Sequence, residues 1–206
     1  MATATRTTTK AIRDARPMLR PAKSRPFLLN AEQYLRMANE GFFGGRRVEL
    51  IKGKIIEMAA MNPPHWIATA KTVEALRHVY KTPFFVLSQL PLKIDGLSEP
   101  EPDVFVVQIE SEVFNDLSKT NALSMTQLVI EVSDATLRED RITKAQLYAE
   151  ANVIEYWVVN VKDRQLEVRR EPTKRGYSST RTLKESETVT PLSAPDAIIK
   201  VADVLP

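Results

Sequence analysis

The apolar positions of this chain change period several times, and each change marks an element. Asn30 is followed by Ala-Glu-Gln, so Asn30 and Gln33 stand at capping-box spacing. They open a helix over about residues 31–40, which Gly41 stops. Val48-Glu49-Leu50-Ile51 and Lys54-Ile55-Ile56-Glu57-Met58 are two apolar runs around Lys52-Gly53, the pattern of a tight β-hairpin. Pro63-Pro64 closes that unit. From His65 to Tyr80, residues Ile67, Ala70, Val73, Ala75, Leu76 and Val79 recur near the helical period, which predicts an amphipathic helix.

Beyond it, Phe84 to Ile94 reads as a strand, Asp103 to Val107 as a short buried strand, and Gln127 to Val132 as another. Ser133-Asp134-Ala135-Thr136 is a turn rich in caps. A helix over about residues 140–151 follows, with Asn152 placed for the left-handed position after its end. Glu155 to Asn160 is a buried strand, and Gln165 to Arg170 with Tyr177 to Leu183 forms a terminal hairpin. Strand, strand, helix, strand between two hairpins predicts an α/β (α+β) fold: a mixed sheet flanked by helices, with N- and C-terminal β-hairpins.

Composition divides the chain in two. The 206 residues are 43% hydrophobic and 27% charged, as expected of a globular domain. Residues 1–26, however, hold seven Lys and Arg against Asp14 alone, a charge of +6. With +3 for the whole chain, the remainder carries −3. The Thr-rich start and three prolines of this segment predict a disordered basic tail over 1–27 ahead of one domain at 28–206. The tail lacks the apolar core of a secretory signal, and no apolar run is long enough to span a membrane. Absence of cysteine excludes a disulfide scaffold, a zinc ribbon and a cysteine nucleophile. It fits a reducing, cytoplasmic setting. Two histidines, His65 and His78, are too few for a histidine metal cage, so a metal here would be held by oxygen. No Gly-rich phosphate loop is present.

Three acids interrupt apolar strands: Glu49 in Val-Glu-Leu-Ile, Asp103 ahead of Val-Phe-Val-Val, and Glu131 in Leu-Val-Ile-Glu-Val. An unpaired buried carboxylate costs several kcal/mol or takes up a proton, so buried acids here need cations. Each alone also fits an outward strand position in water. Glu131 fits it least, because Val129, Ile130 and Val132 occupy both faces around it. Lys144 lies on the following helix, on one stripe with Leu147, Tyr148 and Ala151. It reaches back toward the sheet or snorkels at the rim. Asp and Glu at neighbouring strand ends with a lysine nearby suit phosphodiester hydrolysis. Mg²⁺ (or Mn²⁺) takes one or two carboxylates and waters, and the ammonium orients the attacking water or offsets transition-state charge.

Pro102-Asp103 followed by Glu131-Val132-Ser133 resembles the PD-(D/E)XK nuclease pattern. The stretches 48–55, 102–104, 128–133, 140–144 and 148–157 together resemble the Uma-type family of restriction endonucleases, over about residues 28–205. The resemblance implies a restriction-endonuclease-like core, a divalent metal, DNA as substrate and a homodimer. Carried over by position, Asp103 and Glu131 become metal ligands with the carbonyl of Val132 as a third. Glu49 becomes an additional acid and Lys144 the catalytic lysine. Ser133 stands where the superfamily's third-motif lysine is expected, so Lys144 supplies that charge from the helix. Asn152 and Asn160 replace the family's usual Gly and Asp.

His65 at its helix start and Gln89 in a strand headed for the same edge are candidate substrate contacts, or local structural residues. Tyr148, Tyr156 and Trp157 fit the core or a dimer interface better than a base-stacking role. Two functions compete: a metal-dependent DNA endonuclease, and a catalytically inactive nuclease fold that binds nucleic acid or regulates. The charge of −3 on the domain favours the second. A dimer that gathers Arg46, Arg47, Lys71, Arg77, Arg138 and Arg141 around the cleft favours the first. A carboxylate-pair glycosidase would need an aromatic-lined sugar cleft, which two tryptophans serve poorly.

Overall fold

In the computed structural model, which describes residues 25–110 and 122–206, helix α1 (Ala31–Asn39) starts at the capping box. Asn30 Oδ1 accepts from the Gln33 N–H (2.8 Å), and Gln33 Oε1 accepts from the Asn30 N–H (2.9 Å). Strands β1 (Val48–Ile51) and β2 (Lys54–Glu57) pair antiparallel, Leu50 opposite Ile55. Their turn residues Lys52 and Gly53 have φ of 49° and 76°, the left-handed values that a two-residue hairpin turn requires. A Cβ on Gly53 would lie 2.6 Å from Leu28 Cβ, so the close approach also demands glycine. The basic tail lies outside the described residues as far as residue 24.

Helix α2 (Pro63–Val79) begins earlier than the periodicity predicts. Pro63 and Pro64 do not close the hairpin unit; they are the first residues of the helix. Proline fits there because its fixed φ is helical and its missing N–H would be unpaired anyway. Asn62 caps the helix, accepting from the His65 N–H at 3.1 Å.

The main sheet contains β3 (Phe84–Leu87), β4 (Val104–Gln108), β5 (Thr126–Ser133), β6 (Glu155–Asn160), β7 (Gln165–Thr173) and β8 (Gly176–Lys184), in that spatial order. Neighbours are antiparallel except β5 and β6, which are parallel. A parallel pair needs a crossover. Here it is α4 (Leu137–Glu139), a π-helical turn (Asp140–Lys144) and α5 (Ala145–Glu150), with a short α3 (Ala122–Met125) ahead of β5. The predicted helix over 140–151 thus begins three residues sooner and contains an irregular turn. Asn152 closes it with φ 61°. Strands β9 (Thr188–Val189) and β10 (Ile199–Lys200) pair apart from the main sheet.

Strand β3 ends at Leu87, not near Ile94. Gln89 takes φ 52° and its N–H turns to the carbonyls of Pro102 and Asp103, so the chain leaves the ladder. Side chains alternate across the sheet. Val104, Val106, Ile130, Val132 and Trp157 form one core face beneath α2 and the C-terminal segment. Phe105, Val129, Tyr156 and Val158 form the other with Ala145 and Tyr148. Tyr148, Tyr156 and Trp157 are fully buried, which places all three in the core. Alternation puts Asp103 and Glu131 on the second face, with Phe105 and Val129. Since Val104 pairs with Ile130, the same register sets Asp103 across from Glu131. No helix among the described residues is long and apolar enough to cross a membrane.

Candidate active site

Glu131 is 2% exposed on the central strand β5, and its surroundings come from the crossover. Lys144, in the π-helical turn, donates from Nζ to Glu131 Oε1 at 3.1 Å. Tyr148, one turn further on, donates its hydroxyl to the same oxygen at 2.7 Å. Lys144 Nζ also lies 3.3 Å from Glu49 Oε1. Glu49 Oε2 in turn accepts from the Glu101 N–H at 3.2 Å. The β1–β2 hairpin reaches this position because Leu50 bridges Glu99, their backbones exchanging bonds of 3.4 and 2.8 Å. One buried lysine, 6% exposed, therefore ties the N-terminal hairpin to the central strand.

Asp103 stands beside this pair. Its Oδ2 accepts from the Val132 N–H at 2.8 Å and lies 3.3 Å from His65 Nε2. A strand residue's N–H and C=O point to the same side, so the Val132 carbonyl faces the Asp103 edge. His65 Nδ1 is buried without a partner among the described residues. Gln89 is not drawn into the cluster. Its Nε2 donates to Met61 Sδ at 2.9 Å, and it lines a neighbouring groove.

Two residues to which the sequence assigns no role in the site join the cluster. Tyr148 holds Glu131, though an aromatic residue on a core-facing helix stripe gives no signal of that in sequence. Asp140 is buried, and its Oδ2 accepts from Ser133 Oγ (2.5 Å) and Thr136 Oγ1 (2.7 Å). The serine at the third-motif position is thus a donor to another acid. In sequence Asp140 only opens the predicted helix and the family-like stretch 140–144, four residues before Lys144.

These groups line a cavity of about 230 Å³, where seven acidic side chains face the cations Arg47 and Lys144. Burial pushes the Glu131 carboxyl well above its ordinary value. Lys144 opposes this, and the charges of Asp103, Asp140 and Glu49 add to it. Burial also raises Glu49 and Asp140 against the pull of Lys144. For Lys144, burial favours the neutral amine, but Glu131, Glu49, Asp140 and Asp103 outweigh it and hold the ammonium charged. Burial favours neutral His65 too, yet the bond to Asp103 and the charges of Asp103, Asp140 and Asp134 leave its pKa raised. One buried cation serves several acids, so the pocket keeps an excess of negative charge.

No three His, Cys, Asp or Glu side chains among the described residues converge as a ready metal cage. What the pocket offers is two carboxylates and a backbone carbonyl. That donor set suits Mg²⁺, which keeps several waters and takes only one or two carboxylates. It does not suit a fully protein-enclosed ion.

Among solved structures, a chain from Anabaena variabilis ATCC 29413, titled "a putative nuclease belonging to DUF820", is similar to this one at 16% identity. The match covers 87% of this chain and 97% of that one with a TM-score of 0.62, a likeness of fold. No curated protein matches. Over residues 31–202 the sequence matches the family model Uma2, described as "Putative restriction endonuclease", and the chain belongs to that family.

Proposed function

We propose that this pocket hydrolyses phosphodiester bonds in DNA with a divalent cation, Mg²⁺ or Mn²⁺. The reading is carried by one observation: the Lys144 ammonium is held between Glu131 and Glu49 beside Asp103, in a cavity with surplus negative charge. A phosphate is repelled from such a pocket unless the surplus is neutralised, and a dication on Asp103, Glu131 and the Val132 carbonyl does that. Such an ion supplies charge stabilisation at the phosphate and acidifies water.

The chain's own groups do the rest. Lys144 has three N–H donors. Two are committed to Glu131 and Glu49, which leaves the third for the attacking water or a phosphate oxygen. Glu49 acts as a positioning residue, because it aims the ammonium. Tyr148 occupies Oε1 of Glu131 and so keeps Oε2 available for a cation. His65, with its raised pKa, donates toward Asp103 or an incoming phosphate. Cutting both strands of a duplex in a single encounter takes two such pockets, which a homodimer would supply.

The test is nicking of supercoiled plasmid with Mg²⁺, Mn²⁺ or chelator. Conversion to open circle with either metal, abolished by EDTA, is expected. A folded protein that binds DNA and cuts with neither metal is the non-catalytic nuclease fold instead.

A further inference from the structure

We propose that the groove beside the carboxylate pocket holds an unpaired nucleobase of the DNA strand, with Trp66 as its stacking platform. This rests on the nuclease reading and adds a substrate subsite to it. The groove has a volume of about 730 Å³. Trp66 lies in the first turn of α2 and is 54% exposed, a large apolar surface left in water. Trp66, Ala70, Val73 and Arg77 share one helical stripe along the groove. Ala70, being small, leaves space beside the indole.

The groove is continuous with the pocket. Met61 lines both. Ser88 Oγ donates to the Asp103 carbonyl at 2.8 Å, and the Gln89 N–H reaches the same carbonyl at 3.3 Å. A strand with one phosphate at Asp103 therefore runs its neighbouring nucleotide into the groove. Charge favours the same occupant. The pocket is acidic, whereas Arg77 and Lys81 line the groove against one acid, Glu74. Arg77 makes no ion pair among the described residues. Gln89 holds a left-handed backbone, a strain that tends to persist at ligand sites. Among the described residues its side-chain amide donates to the Met61 thioether, a weak acceptor. It can exchange that partner for a base edge at little cost.

The protein contains two tryptophans, which makes the test direct. Trp157 is fully buried with its N–H on Glu155 Oε1 (3.0 Å), so quenching by added DNA reports Trp66. The full chain, in Mg²⁺ and low salt, is titrated with a labelled phosphorothioate oligothymidylate of about 15 nucleotides, which resists cleavage. Anisotropy follows binding and tryptophan emission follows stacking. Saturable quenching is expected, with Trp66→Ala binding about 5- to 150-fold more weakly. Trp66→Phe should lose the quench and keep most of the affinity, and circular dichroism should show both variants folded. Binding without quenching, or a Trp66→Ala affinity equal to wild type, overturns the subsite and leaves the nuclease reading standing. A wild type that does not bind the oligonucleotide also overturns it, while plasmid nicking judges the nuclease reading separately. If Trp66→Ala instead dissociates a dimer without changing DNA affinity, the occupant is a second copy and the proposal is wrong.

Discussion

Replacing Lys144 by methionine keeps most of the side chain's volume and removes its charge. Lys144 is 6% exposed and its ammonium sits 3.1 Å from Glu131 and 3.3 Å from Glu49, so its loss strands two buried carboxylates. Breaking a buried ion pair from one side costs about 3–5 kcal/mol. For a domain of this size each kcal/mol moves Tm by about 2–4 °C, giving a fall of about 6–20 °C near pH 8. The fall must also depend on pH. Burial holds the Glu131 and Glu49 carboxyls above the ordinary 4.5, so the folded state binds their protons more tightly than the unfolded chain does. The resulting stability is fully present below 4.5 and is lost as pH rises through the raised folded values. Without Lys144 those values climb further, so the deficit against wild type narrows as pH falls toward 4.5. Adding Glu49→Gln should recover part of the loss, since one stranded charge is gone. Thermal melts by circular dichroism across pH decide it. A Tm equal to wild type near pH 8, or a deficit that ignores pH, would refute the reasoning.

Tyr148→Phe removes one of the two donors to Glu131 Oε1 inside a buried site, so it should cost about 1–3 kcal/mol in urea unfolding. Its effect should not add to that of Lys144→Met, because both act on one oxygen. A chain starting at Arg25 should melt like the full chain, since the deleted residues show no apolar periodicity. If the basic tail touches DNA, that truncation also flattens the salt dependence of binding, which competition titrations at several salt concentrations measure.

The site was legible where charge violated its surroundings. Glu49, Asp103 and Glu131 interrupt apolar strands, which raises them as candidates; each alone also fits an outward position, and the family resemblance is what groups them. The capping box and the Lys52-Gly53 turn were legible because local chemistry specifies both. What escaped depends on tertiary partners. Asp140 reads as an ordinary first-turn acid until Ser133 and Thr136 close on it. Tyr148 reads as core, and it is core, but its hydroxyl reaches Glu131. Trp66 adjoins the apolar positions of α2 in sequence, and nothing there marks it as facing water. Strand β3 was read too long because the turn at Gln89 is held by carbonyls more than ten residues away, at Pro102 and Asp103. The π-helical turn is closed by the Ala145 N–H on the Asp140 carbonyl, and the Tyr156 hydroxyl, from a distant strand, donates to the same carbonyl. β9 and β10, two residues each, are too short to leave a period.

The most direct test of the central claim measures plasmid cleavage and metal-induced thermal stabilisation side by side. The proteins are wild type, Asp103→Asn and Lys144→Met, each held well below its own Tm. For wild type, Mg²⁺ should raise stability by about 2.7 kcal/mol at a hundredfold excess over its Kd. Asp103→Asn should lose both cleavage and most of that stabilisation, because a hard cation loses a charged oxygen ligand. Lys144→Met should keep the stabilisation and lose about a hundredfold or more in cleavage, the size typical of one electrostatic group. Wild-type melting curves that superimpose in Mg²⁺ and EDTA, or a folded Lys144→Met that cuts as fast as wild type, would contradict the account.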